Sequence, residues 1–397
     1  MNGRRMDLQP KTIAVFVVAA ALRLSIYALF PNITTILSDQ VEISTPISSF
    51  KRLQEGLFLF ERGVSPYDGG VFHQASLLLV IFELIPSAVV FTVLDMLNAY
   101  NLATIADRLK LPSPRFKKLD QTQIAVAYLF NPFTILSCLG SSTTIFTNAT
   151  ILQATASALV GNGFGTMFAM AVGTYLSIYP GLLLPPMLLF WAQSKPTKLS
   201  TSNLPALLTV YFGATAMLVT VSAILVGSVK DYLISCYGAQ ISVTDLTPNI
   251  GLWWYFFIEI FDSFRNFFIG VFWIHLIGYV GALTTRLPEQ PLFVVIALIG
   301  LITIFKPYPS TSDISLYLGV LPLYRHIMPC KFSSISRPGS ANLPSDPIYL
   351  PRCLCPAVRN VARSSILLHL DICRIRECKL FLCDHSRLES WIKHAGR

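Results

Sequence analysis

The chain has 397 residues, of which 53% are hydrophobic and 13% charged, with a formal net charge of +9. Globular domains carry roughly 25% charged residues, so this composition excludes a soluble multidomain protein. It does not point to nucleic acid either, because no basic run is interleaved with aromatics and much of the positive excess lies after Arg325.

Apolar runs of membrane length recur from Lys11 to about Tyr324, including Lys11 to Phe30, Leu204 to Val226 and Leu292 to Phe305 with its flanks. A bilayer core requires about 20 helical residues, and these runs lack the alternating pattern of an outer-membrane barrel. The fold expected is an all-α polytopic bundle of about eight to ten spans, a count blurred by stretches such as Leu77 to Leu109 and Trp253 to Leu283, each of which fits one tilted helix or two short ones. The start at Met1, with Arg4 and Arg5 before the first run, reads as a signal anchor with a cytosolic N-terminus over residues 1–10. Basic clusters at Arg108, Lys110, Arg115, Lys117 and Lys118, and at Lys195 and Lys198, mark further cytosolic loops and place Asn32 to Leu78 in the lumen. The sequon at Asn32 lies too close to the membrane to be expected to carry a glycan.

Within that luminal stretch, Glu42 to Gly63 is amphipathic. Thr45 is expected to cap a helix with Pro46 at its first position, Ile47, Phe50, Leu53, Leu57 and Phe60 form a stripe, and the helix is expected to lie on the membrane surface. Gly63 to Gly70 forms a turn-rich loop leading through His73 into the second apolar block. Asn131-Pro132 and Tyr179-Pro180 interrupt helices at membrane depth, where only protein or water replaces the lost backbone partners, so an enclosed cavity is expected.

Four ionisable groups fall inside apolar segments, each costing roughly 2.5–3.5 kcal/mol at a helix centre. Arg23 and Asp262 either snorkel or pair, whereas Asp95 and Glu259 are expected to be buried in a pair or to face a ligand. The run Trp253 to Phe257 is either an interfacial aromatic belt or a platform for sugar or lipid. Cys138 and Cys236 are the two cysteines before residue 325, and neither joins a base and an orienting group in a polar loop, so no nucleophilic site is indicated.

Several ordered stretches carry a family resemblance: Val41 to Arg52 with Glu55-Gly56, Gly63 to Tyr67 with Val71-Phe72-His73, Leu129 to Cys138, Asp245 to Leu252, the aromatic run to Glu259, and Ile304 to Pro309. Over residues 11–325 the chain resembles the PIG-U family, the polytopic subunit of the glycosylphosphatidylinositol (GPI) transamidase of the endoplasmic reticulum membrane. That complex cleaves a C-terminal signal from a proprotein and joins the new C-terminus to a GPI amine, with its cysteine nucleophile on a separate protease-like subunit. The resemblance therefore implies a noncatalytic chain without a cofactor or metal, which binds the GPI glycolipid, membrane lipid and the other transamidase subunits. Candidate GPI or lipid contacts are Asp95, Asn131, Asn249, Trp254, Tyr255, Phe257 and Glu259, with a luminal motif of Glu42, Ser65, Pro66, Tyr67 and His73. The competing reading is a dolichol-phosphate-mannose-dependent mannosyltransferase of the GT-C type, whose luminal loop is similar. Such enzymes place acidic residues close together after the first span, whereas here Gln40 and Val41 separate Asp39 from Glu42. A transporter has no internal repeat to support it.

Residues 326–397 differ in character. Cys373, Cys378, Cys383 and His385 have zinc-ligand chemistry, but not the usual tight two-residue gap. Leu370 to Ile392 can instead be written in codons whose next frame encodes the WIYAGS and NFFYA elements of the family's C-terminal segment. The tail is therefore expected to be an out-of-frame translation, arising from a frameshift or mis-spliced intron between codons 326 and 356, and its cysteines to be accidental.

Overall fold

The structure is a computed structural model and describes residues 9–68, 70–109, 119–194, 203–242 and 246–324. The N-terminal arginines, the basic clusters from Lys110 onward and at Lys195 and Lys198, and the whole tail with its cysteines lie outside the described residues. The regular secondary structure of the described residues is all helical, without a strand, as the hydropathy requires.

The helices in chain order are α1 (Pro10–Leu29), α2 (Pro31–Ser38), α3 (Phe50–Glu61), α4 (Leu77–Leu84), α5 (Ser87–Arg108), α6 (Gln121–Leu129), α7 (Pro132–Leu139), α8 (Thr144–Val160) and α9 (Gly163–Leu176). A 3-10 turn (Tyr179–Leu183) leads into α10 (Leu184–Ser194), followed by α11 (Asn203–Val226), α12 (Val229–Leu233), a π-helical turn (Ile234–Gly238) and α13 (Ala239–Ser242). The chain continues through α14 (Leu252–Glu259), α15 (Asp262–Arg286), α16 (Pro291–Phe305) and α17 (Thr311–Val320).

Among the described residues four helices are long and apolar enough to cross a membrane: α1, α5, α11 and α15. The bent pair α6 and α7, with 55° between its halves, brings the number to five. The expectation of eight to ten counted apolar segments, and the shortfall has a physical cause: prolines and glycines cut many of those segments into helices too short to span alone. Pro86 divides Leu77 to Leu109 into α4 and α5, and the second ambiguous stretch breaks between α14 and α15. The short helices are stabilised locally. Asn131 caps α7 by accepting from Phe133 N at 3.0 Å, with Pro132 at the first position, where its missing N–H costs nothing. Asn162 accepts from Gly165 N at 3.0 Å to start α9, and Gly161 ends α8 at φ 83°.

Burial ranks the long helices. Over its most apolar stretch α5 is 56% buried, against 17% for α1, α11 and α15. Helix α5 is therefore central, packed on α6 and α8, while the other three expose apolar surface suited to lipid. The same position explains why Asp95, Asn98 and Asn101 are all buried on α5.

Arg23 does not snorkel. It is fully buried and bonds Asp95, with Nε 2.7 Å and Nη2 2.6 Å from Oδ2. The same guanidinium donates to Ala19 O at 3.2 Å and to Leu129 O at 2.8 Å. Leu129 is the last residue of α6; Pro132 has no N–H to offer its carbonyl, and Phe133 N is committed to the Asn131 side chain. Arg23 thus supplies a donor that the Asn131-Pro132 break withdraws from Leu129 O, and ties α1, α5 and the α6–α7 bend at one point. Tyr128 lies against both Asp95 and Asn98 and completes this polar cluster.

The amphipathic helix starts later than expected, at Phe50 rather than beside Thr45. Residues Thr45 to Ser48 form a turn in which Thr45 Oγ1 lies 2.8 Å from Ser48 Oγ. Ser48 O is taken by Thr143, through N at 3.0 Å and Oγ1 at 3.1 Å, and so is withheld from a helical ladder. Nor does α3 simply lie on the membrane. Leu53 is fully buried in a cluster with Tyr67, Phe72 and Leu78, against which Phe50, Leu57 and Phe60 pack, so the stripe faces protein.

Candidate functional site

The residues from 40 to 76 meet the ends of α7, α8, α9 and α16 on one side of the bundle. Thr311 N donates to Glu42 O at 2.8 Å, and Thr143 N to Ser48 O. On the opposite side, Gln9 Nε2 reaches Asp120 at 3.3 Å and Trp191 Nε1 reaches Gly161 O at 3.1 Å. The motif-bearing side contains a half-open cavity.

One wall is built by Ser65 to Gln74. Gly63, at φ 73°, ends α3 in a left-handed turn that a residue with a Cβ adopts only with strain. Asp68 N then donates to Ser65 O at 3.2 Å and closes the Ser65-Pro66-Tyr67 turn. The Tyr67 hydroxyl donates to Gln74 O at 2.8 Å, and the same carbonyl receives Cys236 Sγ–H at 3.1 Å. Phe72 packs against Tyr67, its ring seated over Gly56, where an added Cβ would lie 2.9 Å from the ring. Gln74 Nε2 donates to Ser49 O at 2.7 Å, and His73 Nδ1 lies 3.0 Å from Ser235 O. The chain is thereby held in register so that His73 and Gln74 line the cavity.

The facing wall is Lys306-Pro307-Tyr308, at the end of α16. Phe305 O would bond the N–H of residue 309, but that residue is proline; Trp253 Nε1 donates to it instead, at 2.7 Å. Tyr308 Oη accepts from Thr247 N at 2.8 Å. Asn249 makes the Thr247 to Gly251 turn, donating to Thr247 O at 2.9 Å and accepting from Gly251 N at 2.6 Å. Gly251 sits so close to Pro309 that a Cβ would come within 2.7 Å of its Cδ. Lys306 Nζ lies 3.1 Å from both oxygens of Asp313, and Asp313 also accepts from Ser310 N at 3.0 Å and Ser310 Oγ at 2.8 Å in the capping box of α17.

The floor comes from the break between α9 and α10. Ser177 Oγ and Ile178 N both donate to Gln240 Oε1, at 3.0 and 3.2 Å, so that Gln240 supplies the acceptor Ile178 N loses where the helix breaks before Pro180. Tyr179 stacks on Trp273 with ring centroids 5.8 Å apart, and Lys306 Nζ lies 5.4 Å from its ring centroid. The space between these walls is small, about 40 Å³, which holds a few water molecules. A second space of about 30 Å³ shares Thr147, Ser177, Tyr179 and Lys306 with it and continues between Ile151, Leu183, Ile299, Ile302 and Leu316. The whole is amphipathic, with hydroxyls, amides and one ion pair at one end and aliphatic side chains at the other. Two of its buried polar atoms, Tyr179 Oη and Gln74 Oε1, have no hydrogen-bond partner. Such groups cost roughly 1–3 kcal/mol each when left unpaired.

Of the residues singled out from sequence, His73 lines this cavity, while Tyr67 and Asn249 brace its walls. Ser65 and Pro66 form the turn, and Glu42 contributes its carbonyl. The others are elsewhere. Asn131 caps α7 and Asp95 pairs with Arg23. Trp254 is half-buried and Tyr255 is 64% exposed on α14, Phe257 packs on the buried Trp253 and Phe272, and Glu259 is exposed rather than enclosed in a pair. The aromatic run is thus neither simply belt nor platform, because Trp253 belongs to the core. Gln74, Tyr179, Gln240 and Lys306 carry the cavity's polar chemistry but were not nominated by sequence. Lys306 stood inside a recognised stretch and Tyr179 beside a recognised break, so two of the four had a signal.

These features define a multi-pass helical membrane protein whose broken helices enclose an amphipathic cavity. A family model described as GPI transamidase subunit PIG-U matches residues 17–337. The chain is 34% identical over 346 residues to the GPI-anchor transamidase component PIGU of Homo sapiens, covering 79% of each chain. It is 35% identical over 312 residues to the GPI transamidase component GAB1 of Saccharomyces cerevisiae, covering 77% of this chain and 76% of that one. The GAB1 homolog of Schizosaccharomyces pombe is 33% identical over 304 residues, covering 74% and 73%. The chain belongs to the PIG-U family.

Proposed function

We propose that this chain is a noncatalytic subunit of a GPI transamidase in the endoplasmic reticulum membrane, helping to hold the GPI lipid and the partner subunits while another subunit performs the chemistry. Family membership over most of the chain carries the reading. A noncatalytic role is supported by the state of the described thiols. Cys138 and Cys236 are both buried, and burial pushes the Cys236 thiol up to about 12 despite its contact with Tyr67, so it stays protonated and unreactive at neutral pH. The mannosyltransferase reading finds no comparable support, since Asp39 is engaged with Lys51 at the surface. The motif-bearing side, with the cavity, faces the lumen. Epitope-tagged chain with its C-terminal frame restored, purified from mild detergent, is expected to bring down the protease-like subunit and to incorporate no labelled mannose. Mannose transfer without co-purification would reverse the assignment.

The tail beyond a point between codons 326 and 356 is proposed to be read out of frame, with the family match running on to residue 337 before it, so that the family's C-terminal segment is not encoded in this frame. Sequencing the spliced transcript across codons 326 to 356 is expected to reveal the shift, and one continuous frame through Arg397 would rule it out.

A further inference from the structure

We propose that the outward face of α15 is the docking surface for one apolar transmembrane helix of a partner subunit, a helix that presents a hydrogen-bond donor to His275 near the middle of the bilayer. The inference rests on the reading that this chain assembles with partner subunits in the membrane, and deepens it by naming the surface and the chemistry of the helix that fits it.

Helix α15 has two faces. Phe272, Leu276 and Val280 recur every fourth residue and are buried against the bundle. By the same helical period Phe267, Gly270, Ile274, Gly278 and Gly281 fall on the opposite side, with His275 beside them. Phe267 is 65% and Ile274 71% exposed. A purely apolar face is what lipid requires, so the two departures from that pattern decide the occupant.

The first is His275. It is exposed on the middle turn of a 25-residue helix. At 1.5 Å per residue such a helix is about 37 Å long, which places the ring deep in a hydrocarbon core of about 30 Å. His275 Nδ1 lies 2.8 Å from Val271 O. A carbonyl only accepts, so Nδ1 carries the proton, and in the neutral ring Nε2 is left as an acceptor. Among the described residues nothing donates to it. Ionisable side chains within a membrane face protein or water, because hydrocarbon offers them no partner. The other two exposed spans lack this feature. Helix α1 turns Arg23 inward, and α11 has neither a charged side chain nor a histidine. Their faces suit lipid, whereas that of α15 suits a helix with Ser, Thr, Asn or Tyr at the depth of His275.

The second is the space above the glycines. A Cβ built on Gly270, Gly278 or Gly281 meets nothing within 4 Å, and none of the three has a positive φ. Neither packing within the chain nor backbone conformation therefore requires glycine there, and each weakens the helix relative to alanine. Helices in lipid gain no hydrophobic energy by associating. They associate where small residues let two backbones approach and where polar side chains bond across the seam. Gly270 and Gly278 flank Ile274 one turn away on either side, which makes a ridge between two hollows into which a second helix keys. The same face thus offers both the close approach and, in His275, the polar bond.

The test uses the frame-restored chain assembled in microsomal membranes, with a photoreactive benzoylphenylalanine in place of Ile274. The control carries it in place of Ile224, which is 75% exposed on α11. The probe on α15 is expected to crosslink to an apolar segment of another transamidase subunit, mapped by mass spectrometry, and the probe on α11 to lipid. Gly278→Leu fills a hollow without touching this chain, so it is expected to cut the crosslink and recovery of that subunit about tenfold. The melting temperature of that variant chain purified alone is expected to be unchanged. His275→Leu is expected to lower both readouts about fivefold, and His275→Asn, which keeps an acceptor, to restore most of the loss. Crosslinking of the α15 probe to lipid alone or to a second copy of this chain overturns the docking surface. So does an undiminished crosslink in Gly278→Leu, or a loss in His275→Asn as deep as in His275→Leu. These results leave the assembly reading intact as long as the unsubstituted chain brings down transamidase subunits. An unsubstituted chain that brings down none overturns that reading and the surface with it.

Discussion

Replacing Arg23 by methionine is expected to cost about 3–5 kcal/mol of stability, because it strands Asp95 as an uncompensated charge inside the bundle. It also deprives Leu129 O of its donor at the α6–α7 bend, so the loss falls on tertiary packing as well as on the pair. Asp95→Leu alone is expected to do comparable damage by leaving the guanidinium buried with two backbone carbonyls and no counter-charge. The double variant, Arg23→Met with Asp95→Leu, separates the two effects. Apolar replacement of a whole buried pair is often close to neutral, so the double variant is expected to recover most of the stability. The unrecovered part is the cost of the unpaired Leu129 carbonyl, roughly 1–3 kcal/mol. Thermal unfolding of detergent-solubilised protein measures all three. A double variant no better than the worse single would show that the pair has a role beyond neutralising itself.

Trp253→Ala is the second large effect, expected to cost about 3–5 kcal/mol. Trp253 is 2% exposed, packs against Phe257 and Phe272, and supplies the donor that proline withholds from Phe305 O. Its loss removes the tie between the start of α14 and the end of α16, leaving Thr247 N to Tyr308 Oη to hold the wall, so the cavity is expected to loosen along with the fold. Trp253→Phe keeps most of the packing but not the indole N–H. It is expected to lose only the hydrogen-bond contribution, about 1 kcal/mol, and unfolding midpoints of the two variants that coincide would contradict this division.

Arg23 and Trp253 share a logic. In each case a proline removes a backbone N–H at depth, and a side chain distant in sequence supplies the missing donor. Sequence reading finds half of such a device. Asn131-Pro132 and Ile304 to Pro309 announce the breaks, and Arg23 stands out as a charge in an apolar run, but nothing along the chain says which donor serves which carbonyl. The same limit applies to α3. Its stripe was legible from Phe50 to Phe60, yet its start was not, because Thr45 and Pro46 have the residue types of a helix start while Ser48 O is claimed by Thr143 from far along the chain. Hydropathy and helix length count differently for a related reason: hydropathy records apolar content, and an apolar segment broken by proline has the same content as one continuous helix.

The cavity was legible only in outline. Broken helices at Pro132 and Pro180 pointed to an enclosed space, and His73 was singled out beside the Ser65-Pro66-Tyr67 turn. Gln74, Tyr179, Gln240 and Lys306 come together only through the tertiary fold. Gln240 in particular is placed by the π-helical turn at Ile234–Gly238, which no local pattern specifies. Glu259, an acid in an apolar run, is exposed on the chain and makes no ion pair among its described residues.

Membership of the PIG-U family makes assembly into a GPI transamidase the central claim, and restoration of surface GPI-anchored proteins in cells lacking their own PIG-U tests it most directly by flow cytometry. A frame-restored version of this chain is expected to bring those proteins back to the surface, and the chain ending at Arg397 is not. A frame-restored version that reaches the endoplasmic reticulum membrane and leaves the surface empty would contradict the account.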